Sequence, residues 1–173
     1  MPAKIINNIL LFIALVLAQA VIFNNLVLFN SAVALVFVYM IVRLSITMST
    51  NAVMAVSFLL GLSVDIFQDT PGLNAMACTV TSFVRRPIFH MYVPRDEDFS
   101  GKNLSIASMG APVFFKYTIT MVLLYCVLYF GIESFGYFDI LRLVVRIVAS
   151  TLFTFIVIYS IDSLTTRRSE KRL

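Results

Sequence analysis

Charge is scarce in this 173-residue chain, at 13% of positions, and so are the residues that bend or crosslink a backbone: six glycines, five prolines and two cysteines. Tryptophan is absent and there is one histidine. A soluble domain carries about 25% charged and roughly 45 to 50% apolar residues. Here 60% are hydrophobic and the mean hydropathy is +0.95. The shortage of charge therefore excludes an ordinary soluble domain and points to a membrane protein. Cys78 and Cys126 lie inside apolar runs, so they are no disulfide framework and read as small buried hydrophobes. The lone histidine, His90, sits near Pro87 and Tyr92 outside the apolar core, where it cannot serve as the internal base of an intramembrane serine protease. A formal net charge of +4 bears on orientation in the bilayer rather than on nucleic acid.

Crossing a hydrocarbon core about 30 Å thick takes about 20 residues, so six spans would use roughly 120 positions and leave no separate globular domain. The apolar runs give spans at about 5–23, 26–46, 51–67, 73–92, 108–132 and 140–161. In the fourth, the strictly apolar part ends at Val84, and Arg85 and Arg86 extend it because long basic side chains snorkel to headgroups. The start has the look of a secretory signal, with Lys4 ahead of an apolar stretch ending in Ala18-Gln19-Ala20. Val21, Ile22 and Phe23 carry the run past that point, which favours an uncleaved first span. The expected architecture is an all-α integral membrane protein, one compact bundle of six helices whose short connections make sequence neighbours antiparallel.

Basic residues set the orientation. With the N-terminus inside, the cytoplasmic side receives Lys4, Arg43, Arg85, Arg86, Arg95, Lys102, Lys116, Arg167, Arg168, Lys171 and Arg172, eleven of thirteen. The opposite connections, Asn24-Asn25, the 68–72 turn and 133–139, contain neither Lys nor Arg. Both termini are thus expected in the cytoplasm. The tail arginines and lysine read as an anchor at anionic lipid, and Tyr39, Tyr92, Tyr117, Tyr137 and Tyr159 as an aromatic belt at span ends.

Ionisable groups inside a span cost several kcal/mol unless paired or hydrated. Asp65 and Asp69 are four apart at the outer end of the third span, and Arg142 and Arg146 four apart at the outer end of the sixth. Spacing of four puts each pair on one helical face. The simplest pairing by depth is an interhelical ladder, Asp69 with Arg142 near the surface and Asp65 with Arg146 one turn deeper. The competing arrangement pairs Arg142 with Asp139, or sends both arginines to outer phosphates. Two carboxylates without a neighbouring His or Cys make a poor transition-metal site. Asp65, Asp69 and Gly72 share a trace of the aspartate-rich magnesium motifs of prenyl and phospholipid transferases, but no second acidic cluster accompanies them. Neither a catalytic constellation nor a cofactor site is expected. Asn74 follows Gly72-Leu73 and, with Ala75, Ala77 and Cys78, forms a small face suited to close helix approach.

The stretch Gly61-Leu62-Ser63-Val64-Asp65-Ile66-Phe67-Gln68-Asp69-Thr70-Pro71-Gly72-Leu73-Asn74-Ala75, followed by Ala77-Cys78 and Phe83-Val84-Arg85-Arg86-Pro87, resembles the bacterial rod shape-determining MreD family, most of all its Bacteroidetes branch. The shared features are a Gly, an Asp four residues on, a Thr-x-Gly turn and a Phe-x-Arg-Pro ending. Asp65, Gly72 and Pro87 match; Asn74 and the doubled Arg85-Arg86 are variations. The resemblance implies a non-enzymatic inner-membrane component of the cell-wall elongation machinery, with a fold similar to the substrate-binding S-components of energy-coupling-factor vitamin transporters. It implies an MreC-like bitopic partner and, through it, a RodA-type glycosyltransferase, a class B penicillin-binding protein and MreB. The alternative on the same fold is capture of a small vitamin-like ligand.

Overall fold

The structure, a computed structural model, describes residues 2–23, 27–28, 32–70, 72–93, 103–134 and 139–170. Asn24-Asn25, Pro71, the acidic run 96–98, Lys102, Tyr137 and Lys171-Arg172 lie outside them. Helix α1 (Pro2–Ala18) runs into a π-helical turn (Gln19–Phe23), and a two-residue ladder pairs β1 (Val27–Leu28) antiparallel with β2 (Ala32–Val33). Then follow α2 (Val38–Arg43), α3 (Thr50–Gln68), α4 (Leu73–Tyr92), the single turn α5 (Ile106–Met109), α6 (Ala111–Glu133) and α7 (Ile140–Glu170). Among the described residues three helices are long and apolar enough to cross a membrane: α3, α6 and residues 140–163 of α7. The described residues are otherwise overwhelmingly helical, in keeping with a membrane protein of the α class.

The second apolar run departs from expectation. Residues 26–46 do not form one helix; among the described residues of that run only 38–43 are α-helical. Asn30 and Ser31 interrupt the run with residue types that favour turns over helix interiors, and the β-branched Val27, Val33 and Val36 favour extended backbone. Extended backbone in an apolar interior needs outside partners for its N–H and C=O groups. Side chains from two helices supply them. The Gln19 side chain donates to the Ala34 carbonyl at 2.9 Å and accepts from the Val36 N–H at 3.0 Å. Ser150 Oγ and Thr154 Oγ1 of α7 accept from the N–H groups of Val33 (3.1 Å) and Leu35 (2.9 Å). Residues 34–42 are thereby buried at the centre of the molecule.

Around that centre α4 packs between α3 and α6, and α6 between α4 and α7. The α3–α4 contact is the closest. A Cβ on Gly61 would stand 2.5 Å from Ala75 Cα and 2.5 Å from the Asn74 carbonyl oxygen, so the two backbones touch where only hydrogen fits. Gly110, at φ 77°, ends α5 and lets the chain turn into α6, with Pro112 in its first turn. This order of helices separates α3 from α7, which decides the fate of the proposed ladder.

Candidate functional site

Asp65 lies in the last turn of α3 with 5% exposure. Its Oδ1 accepts from Thr70 Oγ1 (2.7 Å), the Asn74 N–H (3.0 Å) and Asn74 Nδ2 (2.9 Å), and its Oδ2 from the Ala75 N–H (2.9 Å). Asn74 and Ala75 are the second and third residues of α4, whose N-cap, Gly72 at φ 78°, has no side chain to offer. A carboxylate from the preceding helix therefore does the work of an N-cap, in a field that favours negative charge and through charge-assisted bonds. The main chain of Asp65 closes the same turn, its carbonyl accepting from the N–H groups of Asp69 and Thr70.

That geometry corrects the ladder. Asp65 faces the start of α4, not Arg146, because α4 and α6 stand between α3 and α7. Arg146 instead reaches Glu133 at 3.2 Å with its guanidinium 4.7 Å from the Phe130 ring centre, and Arg142 pairs with Asp139 at 3.2 Å on the surface. Arg142 thus takes the local alternative, whereas Arg146 pairs across helices with Glu133, the last residue of α6, a partner that neither arrangement named. Asp69 is exposed and ends α3 with a left-handed φ of 53°, a conformation Asp tolerates better than most side chains; it is a turn residue.

Asn74 extends the cluster. Its Nδ2 also donates to Gln68 Oε1 (2.9 Å) and lies 3.2 Å from Thr70 Oγ1, while its Oδ1 accepts from the Tyr125 hydroxyl at 2.6 Å. Three helices thus meet in one buried polar network: α3 through Asp65, α4 through Asn74 and α6 through Tyr125. A surface cavity of about 410 Å³ borders it, lined by Leu62, Asp65, Ile66, Asp69, Thr70 and Gly72.

At the other end of the bundle Arg85 is 2% exposed. Its Nε donates to the Tyr117 hydroxyl at 3.2 Å and its guanidinium to the Leu44 carbonyl. Arg86 donates to the carbonyls of Met48 (2.8 Å) and Ile46 (3.4 Å). The arginine doublet therefore grips the α2–α3 connection by its carbonyl oxygens, acceptors no helix supplies there. Pro87 follows on the exposed side, inside α4 and without ending it. His90 is exposed beside Phe89, whose ring centre is 5.4 Å away.

Sequence reasoning missed Asp162. It is 1% exposed, accepts from the Tyr39 hydroxyl at 2.6 Å and from the Ile106 N–H at 2.8 Å, and through Tyr39 connects to Arg43 Nη1 at 3.1 Å. It repeats the device of Asp65, a carboxylate from one helix capping the start of another, here α5. Its signal was present: an ionisable residue adjoining the sixth apolar run, overlooked because that run was ended at residue 161 whereas the helix continues to 170. Tyr39 and Tyr117 are buried partners of these charges and not belt residues, since each hydroxyl is spent inside the protein. Among the described residues no three His, Cys, Asp or Glu side chains converge as metal ligands would. In comparisons with known proteins, no family model, no curated protein and no solved structure matches this chain.

Proposed function

We propose that this chain is a non-enzymatic scaffold of the bacterial cytoplasmic membrane, with six membrane segments and both termini in the cytoplasm, that serves the cell-wall elongation complex. In this reading it binds an MreC-like bitopic protein and, indirectly, a RodA-type glycosyltransferase, a class B penicillin-binding protein and MreB, and so maintains rod shape. The motif around Asp65, Gly72 and Pro87 carries the link to that family. One observation favours a scaffold over a catalyst or carrier. Among the described residues, the buried ionisable side chains Asp65, Arg85 and Asp162 all bond to this chain's own backbone and hydroxyl or amide groups. Buried charge is consumed in fixing helix positions.

The second reading, a vitamin-like ligand carrier with the S-component fold, draws on the cavity beside Asp65. Its walls are shallow: Leu62, Ile66 and Asp69 are exposed, and the carboxylate at its base already accepts four bonds. A capture site would need convergent polar groups free to meet a ligand. Affinity purification of the tagged full-length chain from its native membrane, with and without the MreC-like protein co-expressed, tests the scaffold reading. Stoichiometric retention of that protein supports it; no retention, together with a thermal shift from a vitamin panel, would transfer the assignment to the carrier.

A further inference from the structure

A second cavity, about 540 Å³, lies between α1, α2 and α3, lined by Asn8, Ile9, Phe12, Met40, Leu44, Met48, Val56 and Leu59. Met40 and Leu44 form its buried floor, while Ile9 and Leu59 at its edges are exposed, so it opens sideways between α1 and α3. Among the described lining residues Asn8 alone is polar, and its Oδ1 already accepts from Asn103 Nδ2 at 3.3 Å. One end is basic. Arg86 is bound to the carbonyl of Met48, a lining residue, and Arg43 precedes Leu44, another. Arg43 is tied through Tyr39 to Asp162; Arg86 bonds carbonyl oxygens, and among the described residues no carboxylate pairs with it. Among the described residues no acidic side chain lines the cavity.

We propose that this cleft holds one acyl chain of an anionic phospholipid, its phosphate at the Arg86 end. The volume suits a single chain: it falls within the roughly 300 to 1,000 Å³ of small-ligand sites and equals only about one turn of a helix 10 to 12 Å across, too little to seat a partner span. The apolar lining takes the hydrocarbon, and the Arg86 guanidinium, which among the described residues bonds only neutral carbonyl oxygens, selects an anionic headgroup over a zwitterionic one. Membrane location is all this requires, and it stands or falls apart from the scaffold reading.

The test uses the full-length chain in nanodiscs of phosphatidylcholine and phosphatidylglycerol, with a trace of phosphatidylglycerol carrying a photoreactive acyl chain. Labels should concentrate on residues 8–12, 40–48 and 56–59, and unlabelled phosphatidylglycerol should compete better than phosphatidylcholine. Val56→Trp, which fills the cleft, should cut labelling there about tenfold, equivalent to 1.4 kcal/mol of binding, while labels on the exposed face of α7 persist. Arg86→Gln should erase the headgroup preference. Labels spread evenly over all exposed apolar faces, equal competition by the two lipids, or crosslinks from the cleft to a second copy of the chain would each overturn the proposal. The wild-type label map and competition decide the matter even if a variant fails to fold.

Discussion

Asp65 Oδ2 accepts the backbone N–H of Ala75 at 2.9 Å, so a carboxylate carried by α3 closes the first turn of α4. Gly72 at the N-cap has no side chain, and the four donors converging on Asp65 account for how a carboxylate with no cation beside it among the described residues is tolerated in the interior. The α3–α4 hairpin is consequently locked twice, by this cap at the turn and by the backbone contact at Gly61 four residues earlier.

Replacing Asp65 by Ala leaves the N–H groups of Asn74 and Ala75 buried without their acceptor, a loss of about 1 to 3 kcal/mol for each such group. Asp69→Asn, at an exposed turn position whose left-handed backbone Asn also accepts, should stay within about 0.5 kcal/mol. Thermal unfolding in detergent, followed by a thiol-reactive dye that reports exposure of the buried Cys78 and Cys126, should show a large drop for the first variant and almost none for the second. Equal, small drops would contradict the capping role.

Gly61→Ala should loosen the same hairpin from its other contact. Its added carbon would stand 2.5 Å from backbone atoms of α4, which cannot rotate away as a side chain tip can. The helices must separate, and overpacking of this kind costs about 1 to 3 kcal/mol or more. Gly131→Ala is the control: an added Cβ there meets nothing within 4 Å, and its unfolding temperature should be unchanged or raised.

These two positions show what was legible beforehand. The spacing of Gly61, Asp65, Gly72 and Asn74 marked the right turn, and apolar runs located α3, α4, α6 and α7. The partner of Asp65 was not legible, because charge counting treats a helix N-terminus as neutral although it attracts a carboxylate as a cation does. The broken second run was hidden for a related reason. Gln19, Ser150 and Thr154 look like incidental polar residues in apolar helices until the unpaired backbone of residues 33–36 is seen beside them.

Arg142 and Arg146 should prove independent of Asp65. Reversing charge at both Asp65 and Arg146 should give destabilisations that add within about 0.3 to 0.5 kcal/mol, with no rescue. Glu133 and Arg146, each about a third exposed at the side chain, form a pair worth about 0.2 to 1 kcal/mol. Exchanging those two charges should recover part of what either single reversal loses. Rescue in the first pair and none in the second would restore the interhelical ladder.

Arg85→Lys should destabilise more than Arg86→Lys, although both keep the charge. Arg85 is buried and bonds in two directions, through Nε to Tyr117 on α6 and through its terminal nitrogen to the Leu44 carbonyl. One ammonium cannot span that fork, so a tyrosine hydroxyl or a carbonyl loses a charged partner, at about 1.5 to 3 kcal/mol. Arg86 is half-buried and bonds only the Met48 and Ile46 carbonyls, which a lysine reaches with one arm. Amide hydrogen exchange gives the second readout. Leu104 N–H bonds the Arg43 carbonyl at 3.0 Å, so loosening Leu44 in the Arg85→Lys variant should speed exchange at Leu104 as well as along residues 44–48, and leave Asn74 and Ala75 at the far end of α4 protected.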